Sequence, residues 1–216
     1  MSKKIDAVLW DFGGVILSSP FEAFNRYEAE LGLPRDFIRR VNAVNPDGNA
    51  WAQMERAEIG MERFAELFEA EARALGGELS GHTVIGLLSG QVRPEMVEAL
   101  KRVRERFRIA CITNNMPTGH GPSMTRSADT AAQVAQIMTL FEHVVESSKL
   151  NMRKPDPHIY RHACELLGVA PEACVYLDDL GINLKPARAM GMATIKVESA
   201  AQALSELEAL LGMKLR

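Results

Sequence analysis

Four groups of polar residues carry the chemistry open to this sequence. The first is Asp11, set directly after the apolar run Ala7-Val8-Leu9-Trp10 and before Phe12-Gly13-Gly14. The second is Thr113-Asn114-Asn115, after Ile109-Ala110-Cys111-Ile112; the third is Lys154-Pro155, just ahead of a helix; the fourth is Asp178-Asp179, after Val175-Tyr176-Leu177. An ionised carboxylate at the end of a buried strand is costly without a partner, so Asp11 must face a cation, a ring of donors or a cleft. Together the groups fit phosphoryl transfer through a covalent intermediate. Asp11 is the candidate nucleophile. Attack of one anion on another needs charge neutralisation, which Mg2+ held by carboxylates supplies, and Asp178 and Asp179 add what Asp11 cannot provide alone. Thr113 and the amides around Asn114 can bind phosphate oxygens, and Lys154 offers a point charge that screens nucleophile and phosphate together. Each group also has a plain structural reading. A lone aspartate caps a turn, adjacent aspartates are solvated surface, and Lys-Pro-Asp-Pro starts a helix with Asp156 as cap and Pro157 at its first position. Their joint occurrence at the expected strand ends favours the chemical reading.

The elements that must position these groups follow from periodicity. Strands are expected at Ala7–Trp10, Arg108–Thr113, His143–Glu146, Cys174–Leu177 and Ala193–Val197. Helices are expected at Pro94–Arg106, Ala128–Leu140, Pro157–Leu167, Asn183–Met190 and Ala200–Leu211. Such alternation predicts an α/β fold, a parallel sheet with helices on both faces and ligands at the carboxyl ends of its strands. Between Pro20 and Ser89 the pattern is helical throughout, broken by Gly32-Leu33-Pro34 and the turn Asn45-Pro46-Asp47-Gly48. That region reads as an all-helical insertion, residues 19–90, in a core made of residues 1–18 and 91–216. Residues 45–51 and 116–127 are expected to border the entrance, the second being part of a soft stretch that runs to Ala128.

Composition narrows the partners. A net charge of −3 with interspersed signs gives no footprint for nucleic acid, and no segment reads as a membrane span or signal peptide. Cys111, Cys164 and Cys174 suit neither a disulfide framework nor a zinc site, which points to a cytoplasmic protein. The glycines match no dinucleotide fingerprint or P-loop, and His158 and His162 read as helix surface. The expected partner is a small-molecule phosphate ester; monomer and homodimer are equally compatible with the sequence.

At the four groups the chain resembles the haloacid dehalogenase-like hydrolase superfamily over nearly its whole length. The most specific stretch, Leu177-Asp178-Asp179-Leu180-Gly181-Ile182-Asn183-Leu184-Lys185-Pro186-Ala187-Arg188, is similar to the fourth motif of the branch that contains the N-terminal phosphatase domain of mammalian soluble epoxide hydrolase and bacterial sugar-phosphate phosphatases. Trp51-Ala52-Gln53-Met54-Glu55-Arg56-Ala57-Glu58-Ile59 resembles that branch too. The resemblance implies a Rossmann-like core with a helical cap. It makes Asp11 the nucleophile, has Thr113 and Lys154 contact phosphate, and has Asp179 ligate magnesium with the Gly13 carbonyl, Asp178 ligating in second place or holding a metal-bound water. One position departs from the pattern. Phosphatases of this kind carry a second aspartate, the acid and base, where this chain has Gly13. The departure keeps two alternatives open, a metal-independent 2-haloacid dehalogenase and a catalytically weak member that binds a phosphorylated ligand.

Overall fold

Strand β1 (Ala7–Trp10) is buried on both faces, as an apolar run without a polar break requires. The computed structural model describes residues 4–116 and 128–216. After β1 the chain leaves the sheet and builds five helices, α1 (Phe21–Glu30), α2 (Phe37–Ala43), α3 (Ala50–Glu55), α4 (Met61–Ala74) and α5 (Gly81–Gly86). They close around their own apolar cluster, which includes Phe24, Ile38, Met54, Phe64, Phe68 and Val84. Chain exit and return run side by side. Leu17 bridges Val92 in an antiparallel sense, Ser18 N–H donates to Gln91 O at 2.7 Å, and Arg93 N–H donates to Ile16 O at 2.9 Å.

The remainder alternates as the periodicity predicts: α6 (Pro94–Val103), β2 (Arg108–Thr113), α7 (Ala128–Met138), β3 (His143–Glu146), α8 (Ser147–Leu150), α9 (Pro157–Leu167), β4 (Cys174–Asp178), α10 (Gly181–Ala189), β5 (Ala193–Lys196) and α11 (Ala200–Leu211). All five strands are parallel, in the order β3-β2-β1-β4-β5. Side-chain alternation splits the core into two layers. Val8, Trp10, Ile109, Cys111, Val175 and Leu177 pack under α6, α7 and α11. Ala7, Leu9, Ala110, Ile112 and Tyr176 pack under α9 and α10 on the opposite face. The expected elements are all present, with ends moved by up to three residues. The one addition that matters is α8, four residues long and too short to leave a periodic signal. Because of it, Lys154 does not sit directly at a strand end but follows α8 on the way to α9. Residues 117–127 of the expected entrance, with His120, Gly119 and Gly121, lie outside the described residues.

The strand order places the site. From β1 the chain builds outward through β2 and β3, then crosses to the other side of β1 for β4 and β5, so the switch in direction lies between β1 and β4. A crevice opens at such a switch, beyond the carboxyl ends of the strands. Since β1 sits at that switch, its packing sets the position of Asp11. Leu9, with no exposed surface, is expected to cost about 3 kcal/mol of stability on truncation to alanine, read by urea unfolding.

Candidate active site

Asp11 continues the ladder one step beyond β1: its N–H donates to Leu177 O at 2.9 Å, which sets it beside Asp178. Between the two carboxylates stands Lys154, with Nζ 2.7 Å from Asp11 Oδ1 and 2.8 Å from Asp178 Oδ2. The lysine is 1% exposed and Asp178 has no exposed surface. Asp178 is held from every side. The Tyr176 hydroxyl donates to Oδ2, Leu180 N–H donates to Oδ1 at 2.8 Å, and Asn183 Nδ2 donates to both oxygens at 3.1 Å. Asp179 receives the Ser19 hydroxyl at 3.3 Å. It can approach the β1 turn because residue 14 is glycine. Gly14 has φ +76°, and a Cβ there would overlap the Asp179 carboxylate.

The second polar group fastens the lysine. Asn114 Oδ1 accepts from Lys154 N–H at 2.9 Å while Asn114 Nδ2 donates to Lys154 O at 3.1 Å, so its side chain is committed to the lysine backbone. Asn115 ties the end of β2 to the segment after β3, its N–H donating to Ser147 Oγ and its Nδ2 to Glu146 Oε1, both at 3.0 Å. Thr113 and Gly13 line the cavity above the aspartates. The seven residues expected to form the site therefore come together at one edge of the sheet: Asp11, Gly13, Thr113, Asn114, Lys154, Asp178 and Asp179. The His158 ring, by contrast, lies on an exposed helix surface and pairs with Asp156.

Burial, reinforced by Asp178 and Asp179 and opposed by Lys154, pushes the Asp11 carboxyl well above the usual carboxylate range. Burial and the charge of Asp178 raise Asp179 from 3.8 to about 6. Burial alone would lower Lys154, but Asp11 and Asp178 outweigh it and keep the ammonium protonated. Three carboxylates thus share one ammonium. The edge carries an excess of negative charge that burial makes costly.

A cavity of about 660 Å3 opens from this edge into the helical insertion. Pro46, Asp47, Asn49 and Trp51 line it, as expected for residues 45–51, and so does Met116. The residues that sequence reasoning missed are those that join the two parts. Glu55, at the end of α3, accepts from Arg153 Nε at 2.5 Å, Asn114 Nδ2 at 3.1 Å and the Trp51 indole at 3.0 Å, and its carbonyl accepts from Ser147 Oγ at 2.6 Å. No sequence signal marks a contact across such separations. Tyr176 and Asn183 were missed as well, although proximity could have found them: one lies two residues before Asp178 on the same strand, the other five after it in the first turn of α10.

The model of haloacid dehalogenase-like hydrolases matches residues 5–191. The chain belongs to this family of hydrolases. Mouse bifunctional epoxide hydrolase 2 is 32% identical over 94% of the chain, and a phosphorylated carbohydrates phosphatase from Thermotoga maritima is 27% identical over 88% of the chain and 84% of its own length. The chain spans 38% of the length of the mouse protein. Among solved structures, a family enzyme of Bacteroides thetaiotaomicron in complex with magnesium and inorganic phosphate superposes with a TM-score of 0.60 at 19% identity, covering 94% of this chain and 98% of its own. A dehalogenase shares the fold too, at a TM-score of 0.65 and 19% identity over 98% of this chain and 99% of its own.

The acidic cluster fits a hard divalent cation such as magnesium. One carboxylate oxygen each of Asp11, Asp178 and Asp179 lie within 4.8 Å of one another. The donors are all hard oxygens, and the uncompensated charge is of the sign and size that a divalent cation offsets. Both oxygens of Asp178 already accept hydrogen bonds, which leaves Asp11 and Asp179 the freer donors. An acid whose pKa is raised on folding binds its proton more tightly in the folded chain. Its contribution to stability therefore falls as pH rises from about 4 towards 6 and stays unfavourable above. In chelator near neutral pH, Asp179→Asn is expected to stabilise the protein by ~2 kcal/mol in urea unfolding. Adding magnesium should stabilise the wild type more than the variant.

Proposed function

We propose that this hydrolase is a magnesium-dependent phosphatase of a small phosphorylated metabolite, working through an aspartyl phosphate on Asp11. The observation that carries the reading is Lys154 bridging Asp11 and Asp178, with Asp179 adding a third carboxylate that no ammonium matches. The relatives named for phosphatase activity support it. Asp11 attacks phosphorus as a carboxylate; the ester oxygen leaves, and water then attacks the same phosphorus and regenerates Asp11. Lys154 keeps its proton throughout, orients the attacking oxygen and lowers the repulsion between nucleophile and phosphate. Asp178 holds Lys154, and Asn114 holds the lysine backbone while Thr113 contacts phosphate. Asp11, the Gly13 carbonyl and Asp179 would hold the cation, with Asp178 behind them, and the cation supplies charge neutralisation to the phosphate. Residues 19–90 act as a cap that excludes water over the core of residues 1–18 and 91–216.

The dehalogenase alternative fits the charge less well. Its substrate is a carboxylate without a bound cation, and it would meet three carboxylates and one lysine at this edge. The setting is the cytoplasm, where Cys111, Cys164 and Cys174 stay reduced; all three are free thiols. Among the described residues no helix is long and apolar enough to cross a membrane.

A panel of phosphate monoesters, assayed with and without magnesium, tests the reading. Turnover that requires magnesium and disappears in Asp11→Asn is the expected result; equal release by wild type and variant would refute the covalent route. Gly13 makes a second expectation possible. A Cβ at this position meets no atom within 4 Å, so Gly13→Asp can introduce a carboxyl group without a clash at its Cβ. That variant should raise kcat on alkyl phosphates by at least about tenfold, the low side of what general acid catalysis contributes.

A further inference from the structure

The cavity changes character as it leaves the sheet edge. Beside Asp11, Thr113, Asn114 and Lys154 it is polar; further in, its walls are Leu17, Phe21, Phe24, Trp51, Leu88 and Met116. The aromatic rings along this wall pack against one another. Phe24 meets Trp51 edge-on, with centroids 6.3 Å apart at 86°, and Phe21 meets Phe24 at 6.2 Å and 60°. Most of the polar groups along this inner wall are already engaged, the buried Asn42 Oδ1 being left without a hydrogen-bond partner among the described residues. The Trp51 indole donates to Glu55 at 3.0 Å, Arg153 is held by Glu55 and Pro46 O, and Arg39 lies over the Phe21 ring and pairs with Asp36. A hydroxylated body such as a sugar would find one free buried acceptor, Asn42 Oδ1, and would set its other hydroxyls against the apolar side chains, where each one left unpaired costs about 1–3 kcal/mol. An aromatic body would instead gain ring contacts.

The leaving group points the same way. Among the described residues no histidine lines the cavity, and position 13 carries no proton donor. Of the cavity's carboxylates, Asp11 is the nucleophile, Asp179 belongs to the cation cluster, Glu55 is held by three donors, and Asp47 is on an exposed turn. With no free proton donor among the described residues of the cavity, the departing oxygen leaves as an anion, which a phenol tolerates far better than an alkyl alcohol.

We propose, resting on the phosphatase reading above, that the substrate class is a small aryl phosphate, a phosphorylated phenol whose ring occupies the apolar chamber. The Asp11 Oδ–phosphorus bond forms as the phosphorus–aryl oxygen bond breaks. The electron pair leaves on the phenolate, which takes its proton from solvent. Water then cleaves the aspartyl phosphate to inorganic phosphate and the Asp11 carboxylate. A cavity of about 660 Å3 has room for a substituted or two-ring phenol.

Five phosphates, four esters and one acyl phosphate, separate ring recognition from leaving-group ability: 1-naphthyl, phenyl, benzyl, glycerol and acetyl phosphate. With magnesium, kcat/KM for the two aryl esters is expected to exceed that of benzyl phosphate (a ring with a poor leaving group) and of acetyl phosphate (a good leaving group without a ring) by at least about tenfold each. Trp51→Leu should shrink the advantage of naphthyl over acetyl phosphate. As a measure independent of any variant, phenylphosphonate should inhibit at roughly tenfold lower concentration than methylphosphonate. Acetyl or glycerol phosphate turning over as well as the aryl esters, or equal inhibition by the two phosphonates, would overturn the aryl assignment and leave the phosphatase reading standing. Absence of turnover with all five would overturn both.

Discussion

A buried lysine clamped between two buried carboxylates is the constraint on which the rest of this structure depends. An ammonium with 1% exposure is stable only because Asp11 and Asp178 lie 2.7 and 2.8 Å away. Removing one partner of such a buried pair typically costs about 3–5 kcal/mol, because it leaves an uncompensated charge. The strand order exists, in effect, to bring these groups together: β1 and β4 are neighbours, so Asp11 and Asp178 share one edge. The lysine arrives from a third direction, after α8, and Asn114 pins its backbone there. Tyr176, Leu180 and Asn183 saturate Asp178. What remains is Asp179, drawn in against Gly14 and left without an ammonium of its own. A divalent cation would balance the cluster.

The insertion is joined to the same clamp. Glu55 reaches from α3 to Asn114, the residue that fixes Lys154, and to Arg153, its chain neighbour. Trp51 hangs from the same carboxylate. The wall of the apolar chamber and the anchoring of the lysine are therefore parts of one hydrogen-bonded network, which gives the helical insertion a direct mechanical link to the chemistry at the sheet edge.

Much of this was legible in the sequence because it is local. The strand–helix alternation from Arg93 onward, the carboxylates directly after β1 and β4, and the helical character of residues 21–86 all follow from apolar periodicity and turn residues. The site residues could be named because a charged residue after a buried strand demands a partner. Long-range contacts were not legible. Nothing near Glu55 signals that it meets Arg153, and α8 is too short for a period to show. Asn114 is the instructive case: the amides around it suggested a phosphate contact, and the hold of its side chain on the backbone of Lys154 left no sequence signal. Gly13 and Gly14 differ in a way the sequence could not show. Gly14 is required by a positive φ and the approach of Asp179, whereas a side chain at Gly13 would meet open space.

Asp11 is proposed as the nucleophile that accepts the phosphoryl group, made effective by Lys154 and a divalent cation. Acid quenching of the enzyme during turnover of phenyl phosphate with magnesium, followed by peptide mass analysis, tests it directly. The account predicts one phosphoryl group on the peptide that carries Asp11. Steady release of phosphate with that peptide never modified would contradict it.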